Sequence, residues 1–140
     1  MASALKAAQI AIISRFKTQW AASLNTPVAW PNVSFTPPED GPWVRFDIVW
    51  GEGDVQTMGV TGSGKGRTTI PGVIFVNVFA EPGKGRGVIN DAADKVRDIF
   101  NRLDVSGVRF QVPSGPEPVH GDPEWEQVVV RIPFSVDELV

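Results

Sequence analysis

The segment with the clearest chemical signature runs from Gly59 to Gly66 and reads Gly-Val-Thr-Gly-Ser-Gly-Lys-Gly. It matches the phosphate-binding P-loop through Lys65, but Gly66 stands where a serine or threonine must hold magnesium. A P-loop lysine also leads into a helix whose first amides face the phosphates. The Thr-Thr-Ile-Pro sequence at 68–71 opposes a helix there. We interpret the segment as a flexible basic loop, with nucleotide binding as the minor alternative.

A second basic turn, Gly-Lys-Gly-Arg-Gly at 83–87, contains Lys84 and Arg86 and precedes a helical pattern. Unpaired amides in the first turn of that helix could bind a phosphate or a carboxylate. The alternative is a glycine-rich turn that leads from a strand into the helix with two solvated charges. The same two cations could also meet a carboxylate on a neighbouring subunit.

Residue counts exclude several kinds of active site. The chain has no cysteine and a single histidine, so it cannot build a disulfide scaffold, a thiolate zinc site or a histidine-rich metal cluster. His120 lies in a proline-rich segment with no serine or second histidine patterned around it. The acidic residues near it lack the spacing of a calcium loop. We therefore predict a protein that is not an enzyme and has no catalytic, metal or cofactor site.

The charges are unevenly distributed along the chain. Lys65, Arg67, Lys84 and Arg86 lie in or beside glycine-rich segments, whereas acidic residues gather in the last third: Glu117, Asp122, Glu124 and Glu126. Such surfaces can be complementary across a head-to-tail interface, which closes into a ring when the rotation allows. The sequence pI of about 5.1 argues against strong nucleic-acid binding. Non-specific contact with DNA that passes through a pore is compatible with this pI.

Apolar periodicity predicts two helices. Ser3 can cap the first, whose core-facing stripe ends near Asn25 and Pro27 and consists of Leu5, Ala8, Ile12, Phe16 and Trp20. The second follows the turn at 83–87, and its shared face consists of Ile89, Ala92, Val96, Ile99, Phe100 and Leu103.

Alternating and unbroken apolar runs predict the strands. Residues 28–30 and 33–35 are edge-strand or loop material. Residues 43–50 alternate as one strand, and residues 51–66 form a hairpin arm or a long loop around a strand-like piece at 55–60. Residues 72–80 suit a central strand covered on both faces. Residues 108–112 and 125–134 are strands on either side of a proline-broken loop at 113–123.

This element order predicts one α+β domain over residues 1–140. A single small mixed or antiparallel sheet of four or five main strands carries both helices on one face, with long Gly- and Pro-rich loops between elements. The other face would expose Trp43, Val49 and Trp125 as a contact surface. With 140 residues, 42% apolar residues and a net charge of -3, the chain should fold as a soluble protein. It shows no signal peptide or membrane span, which indicates synthesis in a cytoplasm or use in something assembled there.

Several segments together resemble the tail terminator, or tail-completion, proteins of long-tailed bacteriophages. They are the amphipathic first helix, Pro-Val-Ala-Trp-Pro-Asn at 27–32, Phe-Thr-Pro-Pro at 35–38, Trp-Val-Arg at 43–45, and the glycine loop before Gly-Val-Ile-Phe-Val at 72–76. The turn at 79–85 and the closing strand at 125–134 continue the resemblance.

The resemblance implies a virion structural protein, located at the head–tail junction and assembled in the host bacterial cytoplasm. It implies a ring of usually six subunits that caps the tail tube and offers its other face to head-completion or connector proteins. We expect contacts to self or partners within 51–67 and 113–123 and at Trp43 and Trp125. A head–tail connector or a tail-tube subunit of the same virion is the alternative.

Overall fold

The computed structural model describes residues 4–23, 26–31, 33–38, 41–51, 54–57, 67–83, 87–101, 103–105, 107–120 and 124–139. Two helices and eight strands follow one another along them. In chain order they are α1 (Ala4–Ala22), β1 (Val28–Ala29), β2 (Trp43–Trp50), β3 (Asp54–Thr57), β4 (Arg67–Ala80), α2 (Gly87–Phe100), β5 (Asp104–Val105), β6 (Val108–Phe110), β7 (Ser114–Val119) and β8 (Glu126–Leu139).

All eight strands belong to one sheet with the order β1-β2-β4-β8-β6-β5. β3 pairs with β4 beyond the end of β2, and β7 shares the outer edge of β8 with β6. Only β1 and β2 are parallel among the described pairs, so the sheet is mixed. The centre is the antiparallel pair of β4 and β8, in register from Arg67↔Leu139 to Ala80↔Glu126. The predicted α+β class with a single sheet is confirmed.

Strand β2 has the bounds and the two faces that its alternation predicts. Val44 and Phe46 are buried beneath the helices, and Ile48 and Trp50 pack against the same core. The intervening side chains point to the opposite face because successive strand residues alternate.

Both helices lie on one face of the sheet, as predicted. The buried stripe of α1 matches the expected one in Ala8, Ile12, Phe16 and Trp20, and α2 buries Ile89, Ala92, Val96, Ile99 and Phe100. The rings of Phe16 and Phe100 stack with centroids 6.1 Å apart. Arg15 Nε on α1 donates a hydrogen bond of 2.7 Å to the carbonyl oxygen of Ile99 near the end of α2.

One prediction about β4 is wrong. The run at 72–80 was expected to be covered on both faces, but Val73, Phe75 and Asn77 are only half-buried on the face opposite the helices. A β-branched and aromatic strand is stable with one covered face when its neighbours in the sheet shield the other. We call this second side the open face.

The predicted loop at 113–123 is also wrong, because residues 114–119 form β7. Pro116 and Pro118 lack N–H donors and therefore fit an edge strand, whose outer side needs no ladder bonds. Gly115, at φ +100°, provides the local bend and precedes a cis peptide bond to Pro116.

The remaining differences concern short or extended strands. The two-residue strand β5 was not predicted, and β8 continues to Leu139 instead of ending at Phe134. Residues 33–35 carry no strand. β3 confirms a hairpin arm after β2, whereas the Ser3 cap and residues 58–66 lie outside the described residues.

Candidate assembly surfaces

The two basic segments of the sequence stand before and after strand β4 in the chain. Lys65 stands two residues before Arg67, the first residue of β4, and Lys84 and Arg86 follow its last residue, Ala80. At roughly 3.3 Å per strand residue, the ends of β4 are about 40 Å apart. We call the end at Arg67 the far end and the end at Ala80 the near end. The side chains of Lys65, Arg67, Lys84 and Arg86 lie outside the described part of the chain.

The near end also receives the acidic part of the sequence, which was expected to be set apart from the basic turns. Ala80 pairs with Glu126 at the start of β8, and Val119 at the end of β7 pairs with Gln127. The antiparallel order of three strands therefore places residues 80–83, 117–120 and 124–126 at one end. Asp122 itself lies outside the described residues.

The acidic candidate Glu117 is engaged within the subunit. It lies on β7, exposed, and pairs with Arg131 Nη1 of β8. The Arg131 guanidinium in turn lies 5.9 Å from the ring centroid of Phe75, its cross-strand partner on β4. An exposed pair of this kind contributes little to stability, so Glu117 can exchange partners on assembly. Glu124 is exposed at the turn before β8.

Trp43 is not the exposed contact that the sequence predicts. It is 3% exposed and lies in a second, smaller core on the open face at the near end, together with Ala29 and Phe79. Its ring stacks on Phe79 at a centroid distance of 4.0 Å, and Trp125 meets it edge-on at 5.9 Å. The prediction fails because the aromatic residues on the open face cover one another. Trp125 remains half-buried at the rim of this cluster.

Arg45 and a cavity border the aromatic cluster. The Arg45 guanidinium lies 5.1 Å from the Phe79 ring centroid and 5.8 Å from that of Trp43. Among the residues that the structure describes, none accepts a hydrogen bond from the buried indole N–H of Trp43. A cavity of about 370 Å3 lies alongside, lined in part by Trp30, Pro31, Phe35 and Pro37.

The outer edge of β2 is a feature that the sequence analysis missed. Val44 N donates a hydrogen bond of 3.0 Å to Pro27 O. Because the backbone groups of a strand alternate in direction, the N–H and C=O groups of Val44, Phe46 and Ile48 point away from β4. β1 ends at Ala29 opposite Arg45. In the described part of the chain, no strand faces Ile48 and Trp50 on this side. We call this stretch the β2 edge.

An apolar groove adjoins the β2 edge on the helix side. It has a volume of about 550 Å3 and is lined by Leu5, Ile10, Ile13 and Trp50, with Lys6, Gln9 and Ser14. Ile10 is 56% exposed there, and Val49 is 51% exposed on the open face of the same strand. We call this feature the α1 groove. Sequence patterns did not predict this groove, because its lining residues lie far apart in the chain, on α1 and on β2.

The described residues favour contact surfaces over a chemical site. No three histidine or carboxylate side chains in them come together as a metal site. Neither helix of the described chain is long and apolar enough to cross a bilayer. Residues 67–80, which directly follow the P-loop-like sequence, form a strand and not the helix that a P-loop requires.

Comparisons with known proteins agree with this picture. A family model described as phage tail terminator protein matches residues 7–134. No curated protein sequence matches the chain significantly. One solved structure superposes with a TM-score of 0.66 at 23% sequence identity, covering 94% of each chain. At that identity the likeness concerns the fold alone.

Proposed function

Because the chain belongs to the phage tail terminator family, we propose that it forms a ring that caps the completed tail tube and joins it to the head. The family assigns a structural role in tail completion and a place in the virion. The ring, its six subunits and its partners are our proposal. The single observation that carries it is the family match over nearly the whole described domain.

The arrangement of the fold supports assembly through two different surfaces of each subunit. Among the described residues, the helices cover one face of the sheet, and no other element covers the β2 edge or most of the open face. A contact between two different patches repeats head to tail and closes into a ring when its rotation divides a full turn. On this proposal, one side of the ring binds the last ring of tail-tube protein and the other binds head-completion or connector proteins.

Capping would stop tube growth by occupying the growing end. We propose that residues 51–67 and 113–123 contribute to these contacts, together with Lys84, Arg86, Glu124 and Trp125 at the near end. DNA that passes through the lumen would meet the basic segments without base-specific recognition, since a backbone contact needs only a few cations.

The first experiment is native mass measurement over a wide protein concentration range, with the same samples viewed by negative-stain electron microscopy. We expect a closed ring of about six subunits with a central hole, formed alone or on added tail tubes. The variant Lys84→Glu/Arg86→Glu should weaken assembly while circular dichroism stays unchanged. Lys95→Glu, an exposed change on α2, is its control. A chain that stays monomeric and ignores tail tubes would contradict the proposal.

A head–tail connector or a tail-tube subunit is the second candidate, since small α+β subunits with ring symmetry also suit these roles. The location of binding separates them. A terminator labels only the ends of finished tubes, a tube subunit incorporates along the walls, and a connector binds to the head without tubes.

A further inference from the structure

We propose that the β2 edge and the α1 groove of one subunit bind the hairpin arm of a second copy, which adds to the sheet as an extra strand. The arm comprises β3, residues 58–66 and the first four residues of β4, and β3 pairs with β4 at the far end of the sheet. This inference rests on the proposed ring and names the two surfaces that meet in it.

The β2 edge has the hydrogen-bonding groups that an added strand needs. Ile48 N donates to the carboxylate oxygen Oδ1 of its own neighbour, Asp47, at 2.9 Å. That bond is local and exposed, so an incoming carbonyl can replace it at little cost. Open edges invite pairing with another chain unless they are protected.

The opposite edge of the sheet is protected against pairing with another strand, whereas the β2 edge is not. Its edge strand β7 contains Pro116 and Pro118, which cannot donate to a partner strand, and β5 has only two residues. Among the residues that the structure describes, one edge is therefore blocked and the other is open. This asymmetry favours a contact between the β2 edge and a different part of the neighbour.

Apolar surface lies on both sides of the β2 edge, where the alternating side chains of an added strand would pack. On the helix side, the α1 groove offers Ile10, Ile13 and Trp50. On the open face, Val49 lies beside Val73, Pro71 and Pro133 around a second cavity. Successive residues of a strand point to opposite faces, so one arm strand can fill both sides.

Charge identifies the arm as the occupant. Residues 58–67 contain Lys65 and Arg67 and no acidic residue, whereas residues 46–53, before the arm begins, contain Asp47 and Glu52 and no basic residue. Asp47 is exposed, and no ion pair engages it within the described residues. Opposite charges of this kind fix partner and register more than they add affinity. The arm also supplies apolar side chains two positions apart, at Met58 and Val60.

Disulfide crosslinking tests this contact directly, because the chain has no cysteine of its own. Two singly substituted chains, Val49→Cys and Ser63→Cys, are mixed, assembled and mildly oxidised. We expect a heterotypic crosslink between different copies. A Val49→Cys chain that crosslinks mainly to itself, or to Asp104→Cys on β5, would overturn the inference.

Charge variants test the same contact without a crosslink. Val49→Lys should raise the concentration for half-assembly roughly tenfold, and Val49→Glu by clearly less, because the arm is basic. Val88→Lys, on a 48% exposed residue of α2, is the matched control and should leave assembly unchanged. Equal effects of lysine and glutamate would indicate a steric role and count against the arm.

The outcomes separate the inference from the proposed function. Rings that form without the heterotypic crosslink and tolerate Val49→Lys refute the arm contact and leave the ring in place. Failure of the unmodified chain to form rings, with or without tail tubes, refutes the ring and the arm contact together.

Discussion

The ring of Phe134 on β8 lies directly over the backbone of Gly72, its cross-strand partner on β4. A Cβ atom at position 72 would lie 2.8 Å from Cε1 of that ring and 3.0 Å from Cε2, and nearer still to Cζ. Trp50 meets the same ring edge-on with a centroid distance of 5.2 Å. Phe134 therefore fills the space that a side chain at 72 would occupy, and it connects the central strand pair to the β2 edge.

Gly72→Ala should destabilise the domain by about 1–3 kcal/mol, because the buried Phe134 ring must shift in a packed core. Urea unfolding followed by circular dichroism measures the change. Gly87→Ala is the control, since a Cβ there meets nothing within 4 Å, and it should be neutral or slightly stabilising. Combining Gly72→Ala with Phe134→Leu should cost less than the sum of the single changes. Additive losses would contradict the contact.

Trp43→Ala should lower the free energy of unfolding by about 3–5 kcal/mol, because it removes the centre of the second core. Trp43→Phe keeps a ring against Phe79 and removes the unpartnered indole N–H, so its loss should be smaller. Thermal unfolding of the wild type, Trp43→Ala and Trp43→Phe gives the order of their stabilities. The control is Val33→Ala, at a 61% exposed residue. A stable Trp43→Ala protein that failed only in assembly would show instead that Trp43 acts as a contact residue.

Arg15→Met should cost about 1 kcal/mol, because α1 loses its charged hydrogen bond to a carbonyl at the end of α2. Chemical unfolding detects a loss of this size. Lys95→Met removes an exposed cation from α2 and should change stability by less than about 0.5 kcal/mol. Equal effects of the two substitutions would show that the Arg15 bond contributes nothing specific.

Magnesium ATP should not bind saturably, because a strand follows Lys65 where a P-loop needs a helix. Isothermal titration calorimetry of the wild type and of Lys65→Ala tests this expectation. Binding that saturates in the wild type and disappears in Lys65→Ala would restore the nucleotide-binding alternative.

Local patterns were sufficient where one covered face decided the structure. The strict alternation of β2 predicted its bounds and its two faces. The stripes of α1 and α2 predicted most of their buried residues, but Leu5 is only half-buried and Leu103 lies beyond the end of α2. In each case the period of the apolar residues matches the geometry of one element packed on a single core. The family resemblance followed from aromatic, proline and glycine residues spread over the same elements.

Patterns failed where contacts between distant segments decided the outcome. Pro116 and Pro118 indicated a loop at 113–123. A strand, β7, forms there against β8, because the outer side of an edge strand needs no N–H donors. Trp43 alternated onto the open face and was predicted to be exposed, but Phe79 and Trp125 cover it there.

By itself, the sequence determined the α+β class, the two helices, the course of β2 and the absence of cysteine chemistry, because these depend on composition and on periodicity within one element. Only the tertiary structure decided the rest. The length of β4 puts its two ends about 40 Å apart. The same sheet order left the β2 edge open beside the α1 groove. Strand order and register are properties of residues far apart in the chain, and no local period encodes them.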